Sequence, residues 1–311
     1  MKLVLDTDIG GDFDDANALA LLLAAPEPDL VAVTTVGAGA SAHRRAQVAK
    51  AMLMDAGRGD VPVHAGADSP AVRNEVLDSL SPEHCLNAWE KGLAGMTVEQ
   101  ADAADAVITL AQRHGADLVL LCIGALTNVA EAIRRNPQAM ARVGEIVAMS
   151  GAFHTQHREA NAAIDPEAAD TVYRSGIPLR LVGFEEAARA RLDLDAYRAA
   201  ATASPVAAML AKLAAVYAEA YRTTEVTLCD VTAVAAVLHP EWFTFQSAKV
   251  AVELNGSVTR GMTIAEADPF FNRVPSGSAV SIAADGRPDL VLDLFRTRVL
   301  TAGPAREEGA T

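Results

Sequence analysis

The chain has 311 residues, 51% of them hydrophobic, 21% charged and only 5% aromatic, a balance that excludes disordered and fibrous classes and supplies a large, mainly aliphatic core. A formal net charge of −14 repels phosphate backbones and anionic lipid, arguing against nucleic acid or a membrane surface as partner. Three cysteines without metal-type spacing, no N-terminal signal-type apolar segment and no apolar run approaching ~18 residues lead us to expect a cytoplasmic protein with neither disulfide framework nor zinc site.

Taken in chain order, Lys2-Leu3-Val4-Leu5 reads as a strand, and the alanine- and leucine-rich stretch after Asp15 as a helix. Apolar runs at 30–36, 61–64, 118–123, 145–149 and 179–182 then alternate with helical patterns at 44–55, 98–113, 127–135 and 166–174. Pro166 suits a first helical turn, and Gly176 a helix stop. Such alternation predicts parallel strands with helical crossovers, hence an α/β layered sandwich around a mostly parallel open sheet. Beyond about residue 190 the pattern is mainly helical, at 204–222 and 231–238, before strands return at 249–254 and 279–283. Those helices are expected to form a cap beside the sheet. Residues 1–302 read as one domain and 303–311 as a frayed tail. The densest basic run, His43-Arg44-Arg45, reads as a solvated helix face.

Between the first strand and first helix stands Asp6-Thr7-Asp8-Ile9-Gly10-Gly11-Asp12-Phe13-Asp14-Asp15, five aspartates within ten residues. Like charges at that density need large pKa shifts or a neutralising cation, and carboxylate oxygens suit hard cations such as Ca²⁺ or Mg²⁺. Ligands of open α/β sheets collect at the carboxyl ends of strands, where this segment falls. Asp14 and Asp15 also suit simple capping of the following helix. An EF-hand is excluded by spacing, because Gly10 and Asn17 fall where acidic ligands belong.

Several motifs in order resemble the inosine-uridine preferring nucleoside hydrolases, Ca²⁺ enzymes that cleave the N-glycosidic bond of ribonucleosides. Asp6-Thr7-Asp8-Ile9-Gly10 with Asp14-Asp15-Ala16-Asn17 resembles the family's opening motif, lengthened by two residues. Gly124-Ala125-Leu126-Thr127-Asn128, Met149-Ser150-Gly151-Ala152, Glu159-Ala160-Asn161, Asp165-Pro166-Glu167-Ala168-Ala169, Cys229-Asp230 and Thr259-Arg260-Gly261 continue the match. The resemblance implies Ca²⁺ held by Asp8, Asp15, Asp230 and the Ile123 carbonyl, with Asp8 also the general base. It implies ribose contacts from Asp14, Glu159 and Asn161, with Met149 near the sugar, and a homodimer or homotetramer. From the residues alone, Asp14 serves equally as a cap, Glu159 as a loop charge, Asn161 as an Asx turn and Met149 as core filler. Thr127-Asn128 and Thr259-Arg260-Gly261 read as scaffolding.

The departures bear on substrate choice. Asp12 offers an alternative register to Asp14, and Gly37-Ala38-Gly39-Ala40 lacks the family's Asn after the second strand. The 153–158 stretch is short and also lacks its Asn, leaving His154, Gln156 or His157 for the ribose 5′-hydroxyl. Cys229 stands where some members carry a His that protonates the leaving base, and a cysteine there resembles a subgroup. We expect Cys229 to contact the base, with His84 a candidate acid if 81–89 folds over the pocket. Two rival readings stay open. Asp6-Thr7-Asp8 after a strand also resembles the Mg²⁺-dependent haloacid-dehalogenase phosphatases, and a riboside-binding homologue without turnover would keep the same acids.

Overall fold

The computed structural model describes residues 1–72, 84–93, 95–266, 274 and 277–301, excluding the side chains of 84 and 90–92. The expectation for 303–311 lies outside the described residues. The first half runs β1 (Lys2–Thr7), α1 (Asp14–Ala24), β2 (Asp29–Thr35), α2 (Ala42–Asp55), β3 (Val63–Ala65), α3 (His84–Leu93), α4 (Ala103–His114), β4 (Leu118–Cys122), α5 (Thr127–Arg135), α6 (Pro137–Met140) and β5 (Glu145–Met149). Next come α7 (Ala160–Ile164), α8 (Pro166–Tyr173), β6 (Leu179–Val182), α9 (Phe184–Ala187), β7 (Arg191–Asp193), α10 (Asp195–Ala200), α11 (Pro205–Tyr221) and β8 (Glu225–Thr227). The chain continues through α12 (Cys229–Leu238), β9 (Thr244–Val252), β10 (Thr263–Ala265), β11 (Ser278–Ala284) and α13 (Pro288–Phe295).

In β1, Leu3 and Leu5 enter one hydrophobic core and Val4 the other, so the strand is buried on both faces and needs a helical layer on each side. Residues of α1, α2, α3, α11 and α12 fill the first core, and residues of α4, α5 and α8 the second. A sheet of nine strands lies between them in the order β10-β9-β11-β6-β5-β4-β1-β2-β3. Every neighbouring pair from β3 to β11 is parallel, while β9 is antiparallel to both β11 and β10. This is the expected α/β sandwich. Chain order reverses between β1 and β4, which opens a crevice at their carboxyl ends.

Helix α11 packs against α10, α3 and α2, in keeping with the expected cap. Some boundaries differ from the sequence pattern. α4 starts at Ala103 rather than 98, because Asp102 accepts the Asp105 N–H at 2.8 Å and caps it. β9 starts five residues earlier than its apolar run, since its first half is largely exposed and carries no hydrophobic signal. The β7–β8 ribbon, α3 and α13 were not legible as elements, the ribbon because its three-residue strands are too short for a period to register.

The two scaffolding motifs act as read. Asn128 donates to Asp6 Oδ1 (2.8 Å) and the Thr35 carbonyl (3.0 Å) and accepts the Ala67 N–H (3.1 Å), tying α5 to β1 and β2. Arg260 donates to Glu167 Oε2 and the Leu254 carbonyl, both at 2.8 Å. Gly261 has a φ of 81°, and a Cβ there would lie 2.7 Å from the Ala163 Cα, so the turn admits only glycine. Buried Asp165 caps α8 through the Ala168 N–H (3.0 Å) and accepts the Thr127 hydroxyl (2.8 Å). Asp165→Ala should therefore lower unfolding free energy by about 2–3 kcal/mol, through a lost cap and a stranded buried hydroxyl. Chemical denaturation checks this, and a change within about 0.5 kcal/mol would remove Asp165 from the scaffold.

Candidate active site

The acidic segment folds back on itself just past the end of β1. Thr7 Oγ1 donates to Asp15 Oδ1, and the Asp8 N–H reaches the same oxygen at 3.2 Å. Asp12 Oδ1 accepts the Asp14 N–H at 2.9 Å, closing the lengthened loop. Gly10 holds a φ of 101° against α3, where a Cβ would meet Leu86 at 2.5 Å. On the other flank Gly124 lets Asp8 approach β4, because a Cβ there would lie 2.9 Å from the Asp8 nitrogen.

Residues distant in sequence complete the site. The Asp230 N–H at the start of α12 donates to Asp14 Oδ2 at 3.0 Å, so α1 and α12 turn their positive ends toward the same acids. Glu159 Oε1 accepts the Asn161 N–H (2.7 Å), and its Oε2 accepts those of Gly151 (2.8 Å) and Ala162 (3.0 Å). The Asn161 amide then donates to the carbonyls of Ile123 (2.8 Å) and Met149 (3.1 Å), fastening the ends of β4 and β5 together.

One cavity of about 200 Å³ gathers Asp8, Asp14, Asp15, Asp230, Ile123, Met149, Glu159, Asn161 and Cys229. Asp12 lines it as well, so the alternative register joins the site rather than replacing Asp14. His157 reaches the rim, its ring stacked on Phe184 at 4.3 Å. His154 is not among the lining residues; its backbone N–H is held by Glu185 at 2.6 Å. The His84 side chain lies outside the described residues, although α3, which it begins, packs on the acidic loop through the Leu86 N–H and the Gly10 carbonyl at 2.9 Å. A larger hollow of about 450 Å³ opens at the amino-terminal ends of β5 and β6, the opposite end of the sheet. The Arg180 guanidinium there is committed to Glu145 and the Ala236 carbonyl, so we assign that hollow to structure.

Burial raises every carboxyl of the cluster, and neighbouring charge adds to it. Asp230 is pushed well above the ordinary range by burial and then by Asp14, Asp15, Asp12 and Asp8. Burial followed by Asp12 does the same to Asp14, and burial followed by Asp8 and Asp12 to Asp15. Asp8 is raised by burial, with Arg45 opposing. Burial likewise pushes the Cys229 thiol well up, with Asp14 and Asp230 next, so it stays neutral.

Arg45 escaped the sequence reading, and Asp6, part of the opening motif, lies outside the cavity lining. Arg45 is not on a solvated face but fully buried, with its guanidinium against the carbonyls of Gly37 and Ile9 at 2.7 and 3.2 Å. Alternation with neighbouring buried alanines on α2 was the available signal, masked by adjacent His43 and Arg44. Asp6, on β1, receives the Thr34 hydroxyl at 2.6 Å and leaves Oδ2 buried without a partner. Its position inside an apolar strand marked it out.

The donor set is chemically suited to a hard cation. It is all oxygen, and Asp14 Oδ1 is buried without a hydrogen-bond partner. Among the described residues no three Asp, Glu, His or Cys side chains are closed to ion-holding distance. Among the described residues no helix is long and apolar enough to cross a membrane.

Residues 3–287 match the family described as inosine-uridine preferring nucleoside hydrolase. The chain belongs to that family and is an N-glycosyl hydrolase of the ribonucleoside hydrolase class. Non-specific ribonucleoside hydrolase RihC of Klebsiella pneumoniae subsp. pneumoniae is 32% identical over 296 residues, 92% of this chain and 94% of the relative. Pyrimidine-specific ribonucleoside hydrolase RihA of Escherichia coli O127:H6 is 28% identical over 308 residues, 95% of this chain and 98% of the relative. Among solved structures, a purine-preferring ribonucleoside hydrolase from Gardnerella vaginalis superposes with a TM-score of 0.80 at 25% identity, covering 96% and 98% of the two chains.

The electrostatics generate a test at Asp6, which sits behind the cavity. Burial raises its carboxyl from 3.8 to about 6, against the opposing bonds from Thr34 and Asn128. Folding therefore takes up a proton between those values, and the contribution of Asp6 is most favourable below about pH 4 and declines as pH rises through 6. Asparagine keeps the accepting oxygen and does not titrate. The stability of Asp6→Asn relative to wild type should rise by about 2 kcal/mol between about pH 4 and about pH 7. Denaturation of both proteins in chelator checks it, and a difference independent of pH would refute the shift.

Proposed function

We propose that the protein hydrolyses ribonucleosides to ribose and free base in a Ca²⁺-dependent reaction through an oxocarbenium-like transition state. The observation that carries this reading is the sharing of one switch-point cavity by Asp8, Asp15 and Asp230 with Asp14 in a chain of this family. Asp8, Asp15, Asp230 and the Ile123 carbonyl are the residues that would hold Ca²⁺. A bound Ca²⁺ supplies Lewis acidity that makes a water easier to deprotonate and helps to fix the sugar hydroxyls.

The protein's own groups carry the remaining steps. Asp8, on the cavity wall, takes the proton from the attacking water. Asp14 binds a ribose hydroxyl through the oxygen not engaged by α12. Glu159 and Asn161, locked by their bonds to backbone, fix the sugar beside Met149, and hydroxyl-specific anchors of this kind discriminate ribose from deoxyribose. Negative charge facing the sugar stabilises the ribosyl cation as the base departs.

The neutral Cys229 thiol contacts the base or its exit path, and His157, at the rim against Phe184, contacts the leaving group or the 5′-hydroxyl. The proteins named above include pyrimidine-specific, non-specific and purine-preferring enzymes, which supports a riboside substrate without selecting one base. Family resemblance further supports a homodimer or homotetramer, and three free cysteines suit a reducing cytoplasm.

Ribose release from a nucleoside panel, with and without Ca²⁺, tests the proposal. Asp8→Asn should retain the fold and lose about 10²–10⁴-fold or more in turnover. Near-wild-type turnover of a Ca²⁺-loaded mutant would eliminate Asp8 as base, and tight riboside binding by wild type without ribose release would favour the non-catalytic reading.

Cys229→Ala should shift base preference while sparing turnover of nitrophenyl riboside, whose leaving group needs no proton. Loss of natural nucleoside cleavage with the nitrophenyl substrate spared would instead place Cys229 on the proton path.

A further inference from the structure

Arg45 is the largest fully buried side chain among the described residues. Its guanidinium joins two loops. Nη1 donates to the Asp8 carbonyl and to that of Ile9, the latter at 3.2 Å, both in the acidic loop. Nε donates to Gly37 at 2.7 Å and Nη2 to Ala38 at 3.4 Å, in the loop after β2. Ala38 holds a φ of 46°, and the 37–40 stretch offers only small side chains, so the guanidinium occupies the space beneath both loops.

A clasp of carbonyls could be made by neutral donors at lower cost, since removing a cation from water carries a penalty of several kcal/mol. What repays that penalty is a facing negative charge. The guanidinium is seated against the backbone of the acidic loop itself, at the Asp8 and Ile9 carbonyls, and it opposes the upward shift that burial imposes on the carboxyls of Asp8, Asp12 and Asp15.

We infer that Arg45 is a positioning residue of the acidic site, a built-in counter-cation that keeps the Asp8–Asp15 loop in shape before any metal ion binds. This rests on the proposed function only for what the loop is for. Fixed positive charge beneath the loop lets the acids stand in one cavity without a mobile cation, and the planar fork sets where the Asp8 peptide lies. Ca²⁺ would then bind a loop already formed.

A double-mutant cycle on the whole chain in chelator separates charge from clasp. Arg45→Met removes the charge at similar bulk, and Asp12→Asn removes one facing charge while keeping the oxygen that accepts the Asp14 N–H. Asp12→Asn should be more favourable in the Arg45→Met background than in wild type, by about 3 °C or more in unfolding midpoint. Arg45→Lys, which keeps charge but loses the fork, should fall between wild type and Arg45→Met, and saturating Ca²⁺ should raise the midpoint of Arg45→Met more than that of wild type. Additive effects in the cycle, or Arg45→Gln with a wild-type midpoint, would overturn the proposal. If Arg45→Met does not fold and Asp12→Asn fails to recover folded protein, the charge role is likewise refuted. A wild-type protein whose midpoint ignores Ca²⁺ would sink the metal reading instead, and the cycle in chelator would still decide Arg45.

Discussion

Gathering five aspartates at the carboxyl end of one sheet is unfavourable twice over, through lost hydration and through mutual repulsion, and the surrounding structure is organised to tolerate it. Two helices direct their amino ends at the cluster, a guanidinium is buried beneath it, and Thr7 and backbone N–H groups hold individual oxygens in place. Each opposes the upward pull of burial on the carboxyls or fixes the loop that carries them.

The same imbalance gives the site its chemical character. A cavity that retains excess negative potential in a partly dry setting favours whatever positive charge enters it or develops within it. A hard divalent cation and a cationic sugar are both of that kind, so under the proposed function one arrangement would serve binding and bond cleavage together. Stability is sacrificed locally for this, and the sacrifice is spread over a large aliphatic core on both faces of the sheet.

The family's recurrent motifs divide accordingly. Those of β1 and α12 present acids to the cavity, while Asn128, Asp165 and Arg260 lie outside its lining and hold the strands and turns that aim it. Asn128 makes the division visible. It touches Asp6, itself outside the lining, and ties the first strand to the end of β2 and the loop after β3, so altering it would disturb the cavity without removing a cavity-lining group.

Much was determined by the amino-acid sequence alone: the alternation of strand and helix, the parallel sheet it implies, and the acids placed after the first strand. These are local signals, carried by period and by residue type over a few neighbouring positions. Motif order also pointed to Asp230 and Glu159, far from Asp8 in the chain. Tertiary structure alone decided that Asp12 and Asp14 both line the cavity, that His157 reaches the rim and His154 does not, and that Arg45 is interior. Each of those depends on how loops from separate crossovers pack at the switch point, and a residue's charge says nothing about which side of a helix will be covered. For Arg45 the local pattern even pointed outward, because a cation beside two other basic groups reads as solvated until the acidic loop that compensates it is folded over its end.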